Sequence, residues 1–209
     1  WMILVRPQWR SWLTRGSFIL VGFSGLSALF FVAHLFDFAY LVVWLNWPAV
    51  ALGVLSAIYT GFLFAQAEGR DMWQSALLPW HMLIQAVMGG AAGLLMLSPV
   101  LLPSHDVVQT LVWIFGFSLL VNLIITLGEG FAVPHASTVA ATAAYMIQRG
   151  RYKLHYWGSL IVGILVPLAL VVLASTSPEL LAFAGLLSVV GLFFYEWAYV
   201  MAPQQVPNS

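Results

Sequence analysis

Long apolar runs, separated by short polar segments, dominate the pattern of residues along the chain. A helix needs about 20 mostly apolar residues to cross the hydrocarbon core of a membrane. Strand-like alternation of apolar and polar positions is not seen. The pattern therefore predicts an all-α integral membrane protein, in which residues 1–209 form a single bundle of about six transmembrane helices. The six runs lie at about residues 17–37, 43–66, 76–98, 107–128, 155–175 and 179–201.

A less apolar segment lies in the connection between the fourth and fifth runs. Residues 135–148 are rich in alanine and threonine, are short for a span, and lead into a basic cluster. This composition favours an interfacial or half-buried helix over a tilted transmembrane helix. The connection then stays on one side of the membrane, so the predicted number of spans remains six.

The composition narrows the class of protein further. Apolar residues make up 62% of the chain and charged residues only 7%, whereas a soluble domain has about 45–50% and about 25%. Such a chain cannot cover a soluble surface, and its aromatic and aliphatic content excludes disorder. Seven scattered cations form no phosphate-binding stripe, which disfavours nucleic acid as a partner. Without cysteine, the chain holds no disulfide and no Cys-ligated zinc or iron–sulfur cluster.

The charged residues predict the orientation of the helices. With six spans, all seven Lys and Arg side chains fall on one side of the membrane: Arg6, Arg10, Arg15, Arg70, Arg149, Arg151 and Lys153. The opposite loops carry only acids and histidines: Asp37, His105, Asp106 and Glu179. Because basic loops face the cytoplasm in most membrane proteins, both ends of the chain are predicted to be cytoplasmic.

Polar side chains at the outer end of the first span are one candidate site, because such groups are costly in hydrocarbon and usually functional. His34 and Asp37 are three residues apart and are expected to share a helical face, with Tyr40 just beyond. An imidazole beside a carboxylate suits proton acceptance from a hydroxylated ligand at the membrane boundary. The alternative is that both side chains are simply solvated at the level of the lipid headgroups.

A second candidate site lies toward the inner side. Glu129 ends the fourth span, and Glu196 and Tyr199 lie three residues apart toward the inner end of the sixth. The two carboxylates have two possible roles. They can form a proton path from the cytoplasm, or they can pair with Arg149 or Arg151 and only fix the helices.

The histidines do not predict a metal or haem site. His81 and Gln85 share a helical face near the inner end of the third span, where the pair suits either chemistry or a plain interfacial histidine. His34 lies toward the opposite membrane face, so a haem held between His34 and His81 is not expected. The remaining histidines are isolated, and no metal site is predicted.

Small residues and one proline predict features of packing. Ala86, Gly89, Gly90 and Gly93 place small side chains on the third span, which is typical of close approach between helices. Pro167, within the fifth span, predicts a kink. Neither feature indicates chemistry.

Five segments, in order along nearly the whole chain, resemble the polysulfide-reductase membrane-subunit family, also called the NrfD-like family. The most specific is the second, where a Tyr-Thr-Gly-Phe helix end, a Gly-Arg loop and a Leu-Pro helix start follow one another. The segments are RPQWRSWLTRGSFIL (6–20), IYTGFLFAQAEGRDMWQSALLPWHMLIQAVMGGAAG (58–93), GEGFAVPHAS (128–137), RGRY (149–152) and EWAYV (196–200).

The resemblance implies a quinone-handling membrane subunit of a multi-subunit, respiratory-type oxidoreductase in the inner (cytoplasmic) membrane. Menaquinone or ubiquinone would be the substrate, and the chain itself would bind no metal or haem. In this family an iron–sulfur subunit docks on the membrane subunit and connects it to a large catalytic subunit, often a molybdopterin enzyme. Subunits of alternative complex III share the fold. Because family members usually have eight or more spans, the resemblance also implies a fragment or a shortened member.

The same resemblance assigns expected roles to the candidate residues. Quinone binding at the outer face is expected to involve His34, Asp37 and Tyr40. An inner-side proton path is expected to involve Tyr59, His81, Glu129, Glu196 and Tyr199. Two alternatives stay open: a structural membrane anchor without its own quinone site, and a small six-span transporter.

Overall fold

The computed structural model describes residues 2–132, 135–173 and 177–208, and helices are the regular secondary structure found in these ranges. Its α-helices are α1 (Met2–Val5), α2 (Trp12–Leu35), α3 (Ala39–Ala65), α4 (Leu78–Leu101), α5 (His105–Leu127), α6 (Thr138–Gln148), α7 (Lys153–Leu160), α8 (Val166–Leu173) and α9 (Pro178–Met201). Two π-helical turns, Gly128–Ala132 and Ile161–Leu165, and two 3₁₀ turns, Asp71–Gln74 and Pro203–Gln205, complete the described chain.

Six helical segments of this described part are long and apolar enough to cross a membrane, which confirms the predicted fold class. They are Trp12–Leu35, Ala39–Ala65, Leu78–Leu101, His105–Phe131, Lys153–Leu173 and Pro178–Gln205. The end predicted for the fifth span, residues 174–175, and the first residue of the following connection, residue 176, lie outside the described residues. The cytoplasmic placement of both ends stays a prediction.

The start of the first span differs from the prediction. The helix begins at Trp12 and not near residue 17, although Arg15 lies in its first turns. The Arg15 side chain turns back toward the polar end of the helix, where Nε donates to the Trp9 carbonyl at 2.7 Å and the guanidinium lies 4.8 Å from the centre of the Trp12 ring. Because a long basic side chain can reach the interface in this way, the charge does not delay the start of the helix.

The chain divides into two compact units, so its assignment as a single bundle stays a prediction. The first unit comprises Trp1–Ala67 and Ala76–Leu83, and the second comprises Glu68–Ser75 and Ile84–Ser209. The short helix α6 belongs to the second unit. Its 11 residues extend only about 17 Å at 1.5 Å per residue, which is too short to cross the membrane. One face of α6 is buried, at Ala140, Ala143, Ala144 and Ile147.

In the first unit, α2 and α3 pack along one another through small and aromatic residues. Gly16 lies against the Tyr59 ring so closely that a Cβ at this position would overlap it. The rings of Trp12 and Phe62 stack with centroids 4.4 Å apart. At the same end, Gln66 accepts a hydrogen bond from the Trp12 backbone N–H at 2.8 Å. The positions of Gly16 and Tyr59 are therefore set by packing between these helices.

In the second unit, the fifth span is interrupted by the π-helical turn just before Pro167. A proline removes one backbone donor and cannot bond to the carbonyl four residues earlier, which here belongs to Gly163. That carbonyl accepts a hydrogen bond from Ser188 Oγ on α9 at 2.9 Å. The group freed by the proline is thus satisfied by a neighbouring helix, as the interior of a membrane requires.

Close backbone approach in this unit occurs on the predicted span but not at the predicted glycines. The Cβ positions of Gly90 and Gly93 face open space within the described residues, so the expected role of these glycines is wrong. A Cβ on Gly185 of α9 would lie only 2.6 Å from the Ala92 carbonyl oxygen of α4, and a Cβ on Gly191 would overlap the Gly163 backbone. The pattern of small residues on one helix could not identify the helix that faces it.

Candidate functional site

The candidate site in the second unit is built around Glu129, which follows the end of α5. Glu129 lies in the π-helical turn Gly128–Ala132. The next residue, Gly130, is held from α6, because Gln148 Nε2 donates to the Gly130 carbonyl at 2.7 Å. A Cβ at Gly130 would lie only 2.8 Å from the Tyr156 hydroxyl. The glycine therefore lets α6 and α7 close around the turn that carries the carboxylate.

Tyrosine hydroxyls from two helices surround this turn. The Tyr195 hydroxyl on α9 lies 3.5 Å from Glu129 Oε2, which is a long hydrogen bond. The Tyr156 hydroxyl on α7 lies 3.4 Å from the Thr126 carbonyl. One turn beyond Tyr195, the Tyr199 ring stacks parallel to it with centroids 6.0 Å apart. The predicted residues Glu129 and Tyr199 are thus brought into one cluster, linked by Tyr195.

A small polar cavity adjoins the cluster at Tyr195. Its lining contains Tyr195 together with hydroxyl and amide groups of α5 and α7, and it has room for about one water molecule. The Thr126 hydroxyl is buried and has no hydrogen-bond partner among the described residues. The lining residues are Met88, Asn122, Thr126, Ser159, Gly163, Ile164, Gly191, Leu192 and Tyr195.

The end of α9, which carries Glu196 and Tyr199, is fixed by the segment before α4. The Tyr199 hydroxyl donates to the Met72 carbonyl at 3.2 Å, and Trp73 Nε1 donates to the Tyr199 carbonyl at the same distance. Arg70 Nη1 donates to two carbonyls that follow α9, those of Pro203 and Val206. Glu196 is half-buried in this region.

The alternative role of the carboxylates, as ion-pair partners of Arg149 or Arg151, is not found. Both arginines are exposed, and neither has an ion pair or a side-chain hydrogen bond within the described residues. The arginine side chains therefore do not fix Glu129 or Glu196 in place. The carboxylate of Glu129 instead has the Tyr195 hydroxyl 3.5 Å from its Oε2.

The outer candidate residues are arranged differently from the prediction. The helix α2 ends at Leu35, and Asp37 adopts a left-handed conformation with φ of 57°. Asp37 therefore does not share a helical face with His34, and that expectation is wrong. His34 is exposed, and its Nδ1 lies 3.0 Å from the Phe30 carbonyl. Tyr40 is 77% exposed, and its ring is inclined at 61° to that of Trp44, with centroids 6.1 Å apart.

The two remaining predicted residues, Tyr59 and His81, belong to the first unit. Tyr59 is half-buried against Gly16, as described above. His81 is 1% exposed, in the first turns of α4. In the described part of the chain, no group of three or more histidine or acidic side chains is arranged to hold a metal ion.

The sequence did not single out three residues that shape the inner site: Tyr156, Gln148 and Thr126. Tyrosine, glutamine and threonine are common near helix ends, so their types carried no signal. The one usable hint was the spacing of Thr126 four residues after Asn122, which places two polar side chains on one face of a membrane-spanning helix.

Comparison with protein families identifies the family to which the chain belongs. The family model for polysulphide reductase, NrfD, matches residues 1–208. The chain belongs to the NrfD family. NrfD proteins are membrane subunits of quinone-linked oxidoreductases, and they form complexes with iron–sulfur and catalytic subunits. This NrfD chain is accordingly a multi-pass membrane protein. No curated protein matches it.

Proposed function

We propose that this NrfD chain exchanges electrons between the quinone pool of the inner membrane and a cluster on an iron–sulfur partner subunit, and anchors that partner. The observation that carries the proposal is the family match over residues 1–208. The chain has no cysteine, so a Cys-ligated cluster belongs to the partner. Menaquinol or ubiquinol gives up two electrons and two protons on oxidation, and reduction of the quinone takes them up. The proposed role of this chain's own residues is therefore to bind the quinone and to transfer its protons.

His34 is the proposed proton-exchanging group of the quinone site, with Asp37 and Tyr40 beside it. The Phe30 carbonyl, 3.0 Å from His34 Nδ1, can only accept a hydrogen bond. The ring hydrogen therefore lies on Nδ1, and Nε2 of the neutral imidazole is an acceptor. An acceptor of this kind can take a proton from a quinol hydroxyl, and its protonated form can return one to a quinone. The exposed position of the ring at the end of α2 supports access from the membrane boundary.

The cluster around Glu129 is the proposed inner proton path. Its chemistry suits this role, since Glu129 and Glu196 exchange protons and the hydroxyls of Tyr195 and Tyr199 both donate and accept. The long separation between Tyr195 and Glu129, 3.5 Å, leaves a connection that a water molecule can complete. The neighbouring cavity, with the unpartnered Thr126 hydroxyl, offers a place for such a water.

Tyr59 and His81 are proposed for the same path on the family resemblance. His81 is almost fully buried in the first turns of α4, which supports a role other than that of a solvated interfacial histidine. The Tyr59 ring packs closely against Gly16 on the neighbouring helix.

The test is purification of the native complex in a mild detergent, with the His34→Ala variant beside it. We expect the wild-type chain to carry an iron–sulfur subunit and near-stoichiometric quinone. The His34→Ala variant is expected to keep the partner but to lose about 100-fold in quinol turnover, which is the lower end of the usual contribution of a general acid–base group. Subunits and quinone are measured by mass spectrometry, and turnover by the absorbance of the quinone.

The matched control is His105→Ala, which removes another exposed histidine, in the first turn of α5. This variant is expected to retain wild-type turnover. If His34→Ala assembled normally and turned over quinol at the wild-type rate, His34 would have no part in the reaction. A chain that purified with neither quinone nor an iron–sulfur subunit would overturn the redox function itself and favour transport.

A further inference from the structure

Three cations without partners lie in the turn between α6 and α7 and at the first residue of α7. Arg149, Arg151 and Lys153 are all exposed, and none of the three has an ion pair or a side-chain hydrogen bond within the described residues. Residues 135–155 contain no Asp or Glu, so nothing in this segment neutralises them. The turn directly precedes a helix that is long and apolar enough to cross a membrane, so the three charges are expected at the membrane surface.

An exposed apolar stripe begins immediately after these cations. Leu154, Trp157 and Ile161 follow one another at spacings of three and four residues, so they share one face of the helix. They are 77%, 41% and 48% exposed. The stripe therefore continues from the charged turn along the part of the helix that lies in hydrocarbon.

Trp157 is a fixed side chain and not a loose one. Its Nε1 donates to the Gln148 carbonyl at 3.1 Å, and its ring lies edge-on to Tyr156 with centroids 5.5 Å apart. A second exposed ring, that of Phe131, lies 6.5 Å from it. The Trp157 ring is thus held in place by contacts within the protein.

We infer that this turn binds the headgroup of an anionic phospholipid, with an acyl chain lying along Leu154, Trp157 and Ile161. The phosphate charge complements the three free cations, and the acyl chain covers the apolar stripe. Anionic lipids are concentrated in the leaflet to which the positive-inside rule assigns these residues. A soluble acidic protein could meet the cations but could not reach Ile161 within the membrane. The inference does not depend on the proposed redox function.

The experiment measures lipid binding to the purified complex in a neutral detergent, by native mass spectrometry with added dioleoylphosphatidylglycerol or dioleoylphosphatidylcholine. Each Lys or Arg near an anionic lipid surface contributes roughly fivefold in affinity. The Arg149→Gln/Arg151→Gln double variant is therefore expected to bind phosphatidylglycerol about 25-fold more weakly. The matched control, Arg6→Gln/Arg10→Gln, removes two exposed arginines on the same predicted side and is expected to bind like the wild type.

Further variants distinguish a lipid site from a site for free phosphate and from a protein-docking surface. Arg149→Lys/Arg151→Lys keeps the charges and is expected to keep the binding, which guards against a simple folding defect in the glutamine variant. Trp157→Ala is expected to weaken the lipid but not the binding of inorganic phosphate. The inference is overturned if phosphate displaces the lipid at equal concentration, if phosphatidylcholine binds equally well, or if both arginine pairs have the same effect. Loss of an acidic partner protein, with lipid binding unchanged, would make the turn a protein-docking surface instead.

Discussion

Replacing Glu129 with Gln is expected to lower quinol turnover about 100-fold in a complex that still assembles. The substitution keeps the size of the side chain, and its amide oxygen can still accept a hydrogen bond from Tyr195. It removes only the ability to exchange a proton, which typically contributes a factor of about 10² to 10⁴ where it acts in the reaction. Turnover is measured on the purified complex, and assembly by native mass spectrometry of its subunits.

Two further variants test whether the effect is specific to Glu129 and its neighbours. Glu179→Gln makes the same chemical change at an exposed carboxylate in the first turn of α9 and is expected to leave turnover unchanged. Tyr195→Phe removes the hydroxyl that lies 3.5 Å from Glu129 Oε2 and is expected to slow turnover by a smaller factor, because a water can take its place. Wild-type turnover in Glu129→Gln would contradict a proton path through this cluster and favour the structural-anchor alternative.

Replacing Gly191 with Ala is expected to destabilise the second unit by about 3 kcal/mol, or on the order of 10 °C in Tm. The added Cβ would overlap the backbone of Gly163. Both glycines lie in helices packed against one another, so relief requires the helices to move apart. That movement would also strain the hydrogen bond from Ser188 to Gly163. The measurement is the thermal unfolding of the detergent-solubilised complex.

The control for this prediction is Gly93→Ala, because the Cβ position of Gly93 faces open space within the described residues. Alanine is a better helix former than glycine by about 1 kcal/mol, so this variant is expected to be as stable as the wild type or slightly more so. Equal losses of stability in the two variants would show that any alanine is harmful in these helices. The contact between Gly163 and Gly191 would then have no special importance.

The family and the fold class could be read from the sequence because the signals for both are local. Each apolar run is long enough to cross a membrane whatever its neighbours are, and all six predicted spans occur. The motifs that resemble the NrfD family lie in short segments, and the family match over residues 1–208 confirms them. The first helix begins earlier than predicted, at Trp12, because the Arg15 side chain reaches Trp9 at the polar end. The number of spans is unchanged.

The local backbone conformation was harder to predict from the sequence than the fold class. His34 and Asp37 have the spacing of neighbours on a helix, but α2 ends between them and Asp37 turns left-handed. The apolar pattern ended this run at about residue 37, and the helix ends two residues earlier, at Leu35. Pro167 was a clearer signal, since a proline must disturb the helix, but the π-helical turn that resulted was not foreseen.

The site itself was decided by the tertiary structure. The sequence supplied Glu129, Glu196 and Tyr199 as costly polar groups in a membrane helix. It could not show that Tyr195 would reach Glu129 across 66 residues or that Thr126 would face a cavity. It also placed close approach at Gly90 and Gly93, whereas the α9 backbone approaches the same span at Ala92. Hydropathy acts on each residue separately, whereas contacts depend on which faces of two helices meet, and only packing determines that.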